Sequence, residues 1–292
     1  MEKAGTSMKF SVFTLAAPEY RPAETVNLLK ELGYDGVEWR VGTPPRGDKP
    51  ENYKYEFRYW DYNLSTIDIE TIMENSKGIK SMCDDAGLEI CCLATYLGLW
   101  DIDGIEKVIK AAVEMKCGNI RLMPPPYHDG EGYRELFDRS IQQVKTLEEL
   151  AGSYGIRINL EMHQGGIIPS ASAAYRLVAG CCPKKIGIIY DLGNMVHEGF
   201  ENYWMGVSLL GEYLAHVHVK NAVWKLENIT EAGVEIWRPQ WIPFKKGYAD
   251  IARFIRILKD INYTGFVSVE DFSNEEDTYN KLRNNINFLR SL

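Results

Sequence analysis

The chain is poor in cysteine, poor in histidine and without a surplus of basic charge, and each shortage removes a class of protein. Six cysteines in 292 residues are too few for a disulfide scaffold. Cys91-Cys92 and Cys181-Cys182 are neighbours within or beside apolar stretches, and no Cys-x-x-Cys occurs, so buried reduced thiols are expected. Lys and Arg number 33 against 41 Asp and Glu, a net charge of −8. A phosphate-backbone binder shows the opposite balance, so no nucleic-acid partner is expected. No apolar run reaches the roughly 18 residues of a membrane span. Residues 1–7 lack the apolar core of a signal peptide and are expected to be a short disordered tail or cloning remnant ahead of a domain over 8–292. No Gly-x-Gly-x-x-Gly opens the first helical stretch, which disfavours a dinucleotide fold. Low-complexity tracts and linkers are also missing. Hydrophobic residues at 45% and charged residues at 25% then describe an ordinary soluble, cytoplasmic, single-domain protein.

What is present is a repeated cadence of amphipathic helix, glycine and short apolar run. Val26, Leu29 and Leu32 precede Gly33, and Val37-Glu38-Trp39 follows Gly36. Ile105, Val108, Ile109 and Ala112 share one helix face before Cys117-Gly118, and Ile251, Phe254, Ile255 and Leu258 repeat the spacing before Gly265. Glycines so placed suit a left-handed residue ending a helix. The apolar runs do not alternate, as expected of strands covered on both faces. Strands are expected at 10–15, 37–40, 88–94, 119–123, 156–161, 186–190, 214–219 and 266–270. Helices are expected near 22–32, 68–86, 103–116, 132–153, 171–180, 201–210, 248–260 and 276–290. Eight alternations fit a single (β/α)8 TIM barrel, with an open doubly wound sheet as the competitor. Long aromatic-rich connections follow strands 2 and 7, at 41–67 and 220–247, and either cover a ligand or form a subunit interface.

Charge is costly inside a buried strand, yet the fifth to eighth runs end in ionisable groups. These are Glu161, Asp191, His218 and Glu270, separated by 30, 27 and 52 residues. In a barrel such ends meet at one mouth. Three carboxylates there would repel one another unless a cation neutralised them. Three oxygen donors and an imidazole suit one divalent ion, Mn²⁺ first, then Mg²⁺ or Co²⁺, with Zn²⁺ also accommodated. Alternation puts His216, His218 and Lys220 on one strand face. His218, nearer the strand end, is the expected ligand, and His216 a packed or hydrogen-bonded core histidine. His163 shares the face of Glu161 and is expected to touch substrate. One of Asn194 and His197 is expected to face the site. Glu38 and Arg40 either orient substrate or pair at the mouth, and Arg121 either anchors substrate or balances the acidic groups. With Lys220, these complete the expected substrate contacts: Glu38, Arg121, His163, Asn194, His197 and Lys220.

Leu160-Glu161-Met162-His163, Tyr190-Asp191-Leu192-Gly193-Asn194, His216-Val217-His218-Val219-Lys220-Asn221 and Gly265-Phe266-Val267-Ser268-Val269-Glu270, with Gly33-Tyr34-Asp35-Gly36-Val37-Glu38, resemble the xylose-isomerase-like TIM-barrel family of sugar phosphate isomerases and epimerases. The family includes ketose 3-epimerases, hydroxypyruvate isomerases, inosose dehydratases and 3-dehydroshikimate dehydratases. The resemblance implies metal ligands at Glu161, Asp191, His218 and Glu270, and Glu161 and Glu270 as the catalytic acid–base pair. The chain departs at Asn194, where many relatives carry a histidine, which puts the substrate in doubt.

The expected chemistry is proton abstraction beside a metal-chelated carbonyl of a keto-sugar or sugar phosphate, through an enediolate. Returning the proton to the other face is epimerisation, returning it to the neighbouring carbon is isomerisation, and expelling a β-substituent makes a lyase or dehydratase. An apurinic-site endonuclease of the same barrel would hold three metals with many histidines, and this chain has five histidines in all. A non-catalytic sugar-binding barrel would show an incomplete ligand set. The expected partner is a small carbohydrate, with no membrane association. A homo-oligomer, dimer or tetramer, is expected from the family likeness and the aromatic loops.

Overall fold

The computed structural model describes residues 8–49 and 51–292; the expected tail over 1–7 lies outside them. Eight strands form the barrel: β1 (Lys9–Phe13), β2 (Gly36–Gly42), β3 (Glu89–Gly98), β4 (Asn119–Met123), β5 (Arg157–Glu161), β6 (Ile186–Asp191), β7 (Leu214–Val219) and β8 (Phe266–Val269). Each pairs in parallel with its successor. Lys9 to Val12 of β1 lie opposite Phe266 to Val269 of β8, which closes the sheet and excludes an open doubly wound one. The helices α1 (Pro22–Leu32), α2 (Ile72–Ala86), α3 (Ile102–Glu114), α4 (Tyr133–Tyr154), α5 (Ala171–Val178), α6 (Tyr203–Leu210), α7 (Ile251–Asp260) and α8 (Thr278–Ser291) alternate with them.

The periodic apolar positions turn inward. Ile105, Val108, Ile109 and Ala112 of α3 and Phe254, Ile255 and Leu258 of α7 are all fully buried. Each large side chain so buried contributes roughly 1.5–3 kcal/mol. Gly33 closes α1 in the left-handed conformation, φ 77°, as its position suggested. After α3 and α7 the expectation needs correction. Lys116 (φ 53°) and Asn262 (φ 55°), not Gly118 and Gly265, are the left-handed residues there. Asn tolerates that region through local hydrogen bonding of its short side chain.

Both long connections lie at the C-terminal mouth. The first contains the turn Tyr55–Phe57, the short helix Arg58–Asp61 and a two-residue strand, Ile67–Asp68, paired with β2. Its anchor is Arg58, fully buried between the rings of Tyr55 and Tyr59. Its guanidinium donates to Glu19 Oε1 at 2.8 Å, to Tyr59 Oη at 2.6 Å and to Asn274 Oδ1. Lys281 of α8 donates to the same Tyr59 hydroxyl at 2.6 Å. This network ties the loop after β2 to the loop after β8. The second connection is not an irregular loop but an antiparallel ribbon, Asn221–Ile229 with Glu235–Ile242, which strand alternation alone did not reveal because its two faces are both largely exposed. Trp224 Nε1 of the ribbon donates to the Val196 carbonyl at 2.8 Å and so seats it beside the sixth strand's loop.

Candidate functional site

Closure of the barrel brings the ends of β5 to β8 together. Glu161, Asp191, His218 and Glu270 each offer one donor atom, all within 4.8 Å of one another, and all four side chains are buried. His218 Nδ1 lies 3.3 Å from Glu161 Oε1, 3.5 Å from Asp191 Oδ2 and 3.3 Å from Glu270 Oε1. Its other nitrogen, Nε2, lies 3.0 Å from Glu38 Oε2. When Nε2–H donates to Glu38 and the imidazole is neutral, Nδ1 turns its lone pair toward the space between three anionic oxygens, as a ligand to a cation among them would. The donor set thus fits a divalent ion. A second group, one carboxylate and two imidazoles from Glu38, His216 and His218, also converges within 4.8 Å, but it is a hydrogen-bonded chain one layer deeper.

Asp191 does two jobs at the start of the short helix Leu192–His197. Its Oδ1 accepts from the Asn194 amide at 2.8 Å as the N-cap, leaving Oδ2 for the cluster. Glu161 accepts from Arg121 Nη1 at 2.8 Å and from Asn194 Nδ2 at 3.1 Å. Lys220 reaches into the same centre, with Nζ 2.6 Å from Asp191 Oδ2 and in contact with Glu270 Oε2. Its stem passes Gly193, where a Cβ would come within 2.2 Å of Lys220 Cγ. Only glycine leaves that path open.

The two glutamates are driven apart electrostatically. Burial would raise Glu161, but Arg121 and His218 outweigh it and hold the carboxyl well below the usual range. Burial, with Glu161 and Asp191 nearby, pushes Glu270 up to about 7 against the pull of His218 and Lys220. For His218, burial disfavours charge, yet Glu270 and Glu38 hold it well above the ordinary histidine value. Burial and the Lys220 ammonium take His197 down to about 4.

Above the cluster lies a cavity of about 270 Å³, lined by Glu161, Glu270, Arg121, His163, Asn194, His197 and Lys220. Both Asn194 and His197 therefore face it, where one had been expected. His197 stacks on Trp241 at 4.2 Å between ring centroids. His163, which lines the cavity, donates from Nδ1 to the Gln164 carbonyl at 2.7 Å. Arg121 is both bound to Glu161 and stacked near Phe13 and Tyr96, so it serves the acidic cluster while lining the cavity. The expectation for Glu38 needs correction. Fully buried and not among the cavity residues, it contacts His216 at 2.9 Å and His218 instead of an open space, because the middle of β2 lies below the mouth. Its expected partner Arg40 donates to Thr66 at 2.6 Å. His216 is the hydrogen-bonded core histidine its depth suggested.

Phe13, Tyr96 and Phe272 line the cavity without having been singled out from the sequence. Their signal was available in part, since each is an aromatic residue at or just beyond the C-terminal end of a barrel strand. All six cysteines are free, five of them buried.

Among known proteins, the chain resembles inosose dehydratases of Bacillus licheniformis and Bacillus velezensis. The first is 29% identical over 102 residues, 35% of this chain and 32% of that protein. The second is 23% identical over 142 residues, 47% of each. The chain thus spans about a third and about half the length of these curated relatives. Among solved structures, the Escherichia coli 3-keto-D-glucoside 4-epimerase YcjR in apo form matches with TM-score 0.71 and 18% identity, over 98% of this chain and 100% of that one. The probable 3-DHS dehydratase AsbF of Bacillus anthracis matches with TM-score 0.71 and 18% identity, over 97% and 99%. IolI with a bound zinc atom matches with TM-score 0.69 and 15% identity, over 97% and 96%. At these identities the structural likeness speaks for the fold. A family model described as xylose isomerase-like TIM barrel matches residues 26–292, nearly the whole chain, and by that match the protein belongs to the xylose isomerase-like TIM barrel family.

Proposed function

We propose that the protein is a divalent-metal-dependent isomerase or epimerase of a keto-sugar or sugar phosphate. The observation that carries this reading is the convergence of three carboxylates and one imidazole within 4.8 Å beneath a cavity lined by further polar groups. Glu161, Asp191, His218 and Glu270 would hold the ion. Mn²⁺ is the first choice for this oxygen-rich set, and the zinc of the IolI structure keeps Zn²⁺ in the comparison. When bound, the ion supplies Lewis-acid polarisation of a substrate carbonyl, which acidifies the neighbouring C–H.

The chain's own groups do the rest. Glu161 and Glu270, reaching the centre from β5 and from the end of β8, are the acid–base pair: one carboxylate removes the proton from carbon and the other returns one. Arg121 and Asn194 hold Glu161 in a fixed orientation through hydrogen bonds of 2.8 and 3.1 Å. Lys220 donates toward the oxygen on which negative charge grows. His163 and His197 border the hydroxyl side of the substrate, and His197, neutral at physiological pH, can accept a hydrogen bond there. Tyr96, Phe13 and Trp241 exclude water from the proton in transit.

A dehydratase is the second reading, favoured by the inosose dehydratases among the relatives. It shares the proton abstraction and differs in expelling a β-hydroxyl as water. Incubating the Mn²⁺-loaded protein in D₂O with ketoses, 3-keto-glycosides and keto-cyclitols tests both. Deuterium on carbon with isomer formation supports the first, and loss of water supports the second. Absence of exchange with every substrate, together with failure to bind one ion per chain, overturns both. Glu161→Gln and Glu270→Gln should each lower turnover by on the order of 10²–10⁴-fold at saturating metal. The reading includes a cytoplasmic location, supported by six unpaired thiols, and among the described residues no helix is long and apolar enough to cross a membrane. It also includes a homo-oligomer, dimer or tetramer, with the exposed ribbon residues Leu226, Ile229 and Val234 as an apolar contact.

A further inference from the structure

The cavity over the acidic cluster does not end the binding surface. A second cavity of about 510 Å³ abuts it, and Trp60, Trp241 and Phe272 are walls of both. None of the cluster residues lines this outer space, so the proton chemistry makes no use of it. The inner cavity, at about 270 Å³, is at the small end of ligand sites and suits a single pyranose. Both tryptophans pack on Phe272, Trp60 tilted at 5.1 Å and Trp241 edge to face at 5.7 Å between ring centroids. They form a partition over which a ligand longer than one ring must pass.

The outer walls combine aromatic faces with amides and charged groups, the carboxylates of Glu56 and Glu275 among them. Phe57 and Trp60 stand on the loop after β2, Gln240 and Lys225 on the ribbon, and Asn274 on the loop after β8. Asn274 accepts from Arg58 through its amide oxygen, which leaves its amide N–H₂ for a ligand. A pyranose has an apolar C–H face that packs on an aromatic ring and a rim of hydroxyls that both donate and accept. An aryl group would use the aromatic faces alone, whereas a pyranose also engages the exposed amides and the lysine at the rim. Three separate segments converging on this composition point to a sugar.

We propose that the outer cavity is a second sugar subsite, so that the substrate is a two-ring glycoside whose keto ring lies over the acidic cluster and whose second pyranose lies against Phe57, Trp60 and Gln240. The inference rests on the keto-sugar chemistry proposed for the inner cavity.

The test compares the 3-keto forms of cellobiose and maltose with the 3-keto form of methyl β-glucoside and of phenyl β-glucoside, using the Mn²⁺-loaded full chain. Deuterium uptake gives kcat/KM, and saturation-transfer NMR shows which ring is held. A keto-disaccharide is expected to exceed the methyl glycoside in kcat/KM by at least tenfold, with saturation on both rings. Phe57→Ala and Gln240→Ala should remove most of that advantage and leave the methyl glycoside unchanged. Phe57 is 45% exposed, so its truncation does not threaten the fold. Exchange on the methyl glycoside that no disaccharide exceeds overturns the second subsite while leaving the inner chemistry standing. A phenyl glycoside preferred over both disaccharides overturns the sugar assignment. Saturation of the outer ring without exchange on any compound supports the subsite and sinks the keto-sugar reading. Neither saturation nor exchange overturns both.

Discussion

Glu38 Oε2 lies 3.0 Å from His218 Nε2, on the side of the imidazole that faces away from the three carboxylates. The carboxylate sits on β2 and the imidazole on β7, 180 residues apart in sequence. It fixes the ring's orientation and, when it accepts the Nε2 proton, the tautomer that leaves Nδ1 free. Such partners typically change metal affinity by about 10–100-fold when lost. Glu38→Gln should therefore weaken Mn²⁺ binding by about that factor while retaining the far-ultraviolet circular dichroism of the wild type. Isothermal titration measures the affinity, and an unchanged dissociation constant would remove Glu38 from the site.

Lys220 holds the place of positive charge beside Asp191 and Glu270 when no cation is present. Burial works against its charge, but those two carboxylates outweigh it and keep the ammonium protonated. Removing one partner of a buried charged group costs on the order of 3–5 kcal/mol. Lys220→Met should lower the thermal midpoint of the chelator-treated protein and enlarge the stabilisation produced by Mn²⁺, because the ion then relieves a larger repulsion. Scanning calorimetry with and without metal distinguishes this from a packing defect, which would leave the metal-induced shift the same as in the wild type.

Arg58 carries the connection between the loops after β2 and β8. Its hydrogen bonds to Glu19, Tyr59 and Asn274 are charge-assisted, and losing such a set costs on the order of 2–3 kcal/mol. Arg58→Met should show that loss in urea unfolding and should speed proteolysis within 43–66, where the loop would be released. Equal cleavage rates in variant and wild type would mean that the loop is held by its aromatic packing alone.

Lys281 supplies a pH signature away from the cluster. Burial lowers it to about 8, with Arg58 acting in the same direction and Asp271 opposing. Between that value and the unfolded value near 10.5 the unfolded chain binds more protons than the folded one, so this group's contribution makes stability rise with pH. Buried thiols such as Cys117, held up to about 12, act in the opposite sense over the same range. The measurable quantity is thus the difference between wild type and Lys281→Met. From pH 8 to 10 the wild type should gain up to about 1.4 kcal/mol per pH unit relative to the variant. Parallel stability curves would show that Lys281 titrates normally.

Much of the barrel is legible along the chain. Runs such as 119–123 and 214–219 coincide with strands because a strand covered by helix on one side and barrel interior on the other must be apolar on both faces. Ionisable groups at the ends of four consecutive runs single out Glu161, Asp191, His218 and Glu270 for the same reason, since buried charge needs a partner, and the structure brings the four within 4.8 Å. The ribbon at 221–242 escaped because its strands face solvent on both sides and carry no burial pattern. The left-handed residues at Lys116 and Asn262 escaped because a nearby glycine is the cheaper occupant, and local sequence does not say which position the turn requires.

The sequence by itself determined the alternation of elements, the inward faces of the helices and the four ionisable residues at strand ends, since all of these follow from periodicity and from the cost of burying charge. Tertiary structure alone decided that Glu38 stands behind His218, that Lys220 enters the acidic cluster past Gly193, and that Trp60, Trp241 and Phe272 meet as a partition between two cavities. Those contacts join segments far apart in sequence that strand pairing and barrel closure bring together, and a one-dimensional pattern holds no record of which side chains a closing sheet sets face to face.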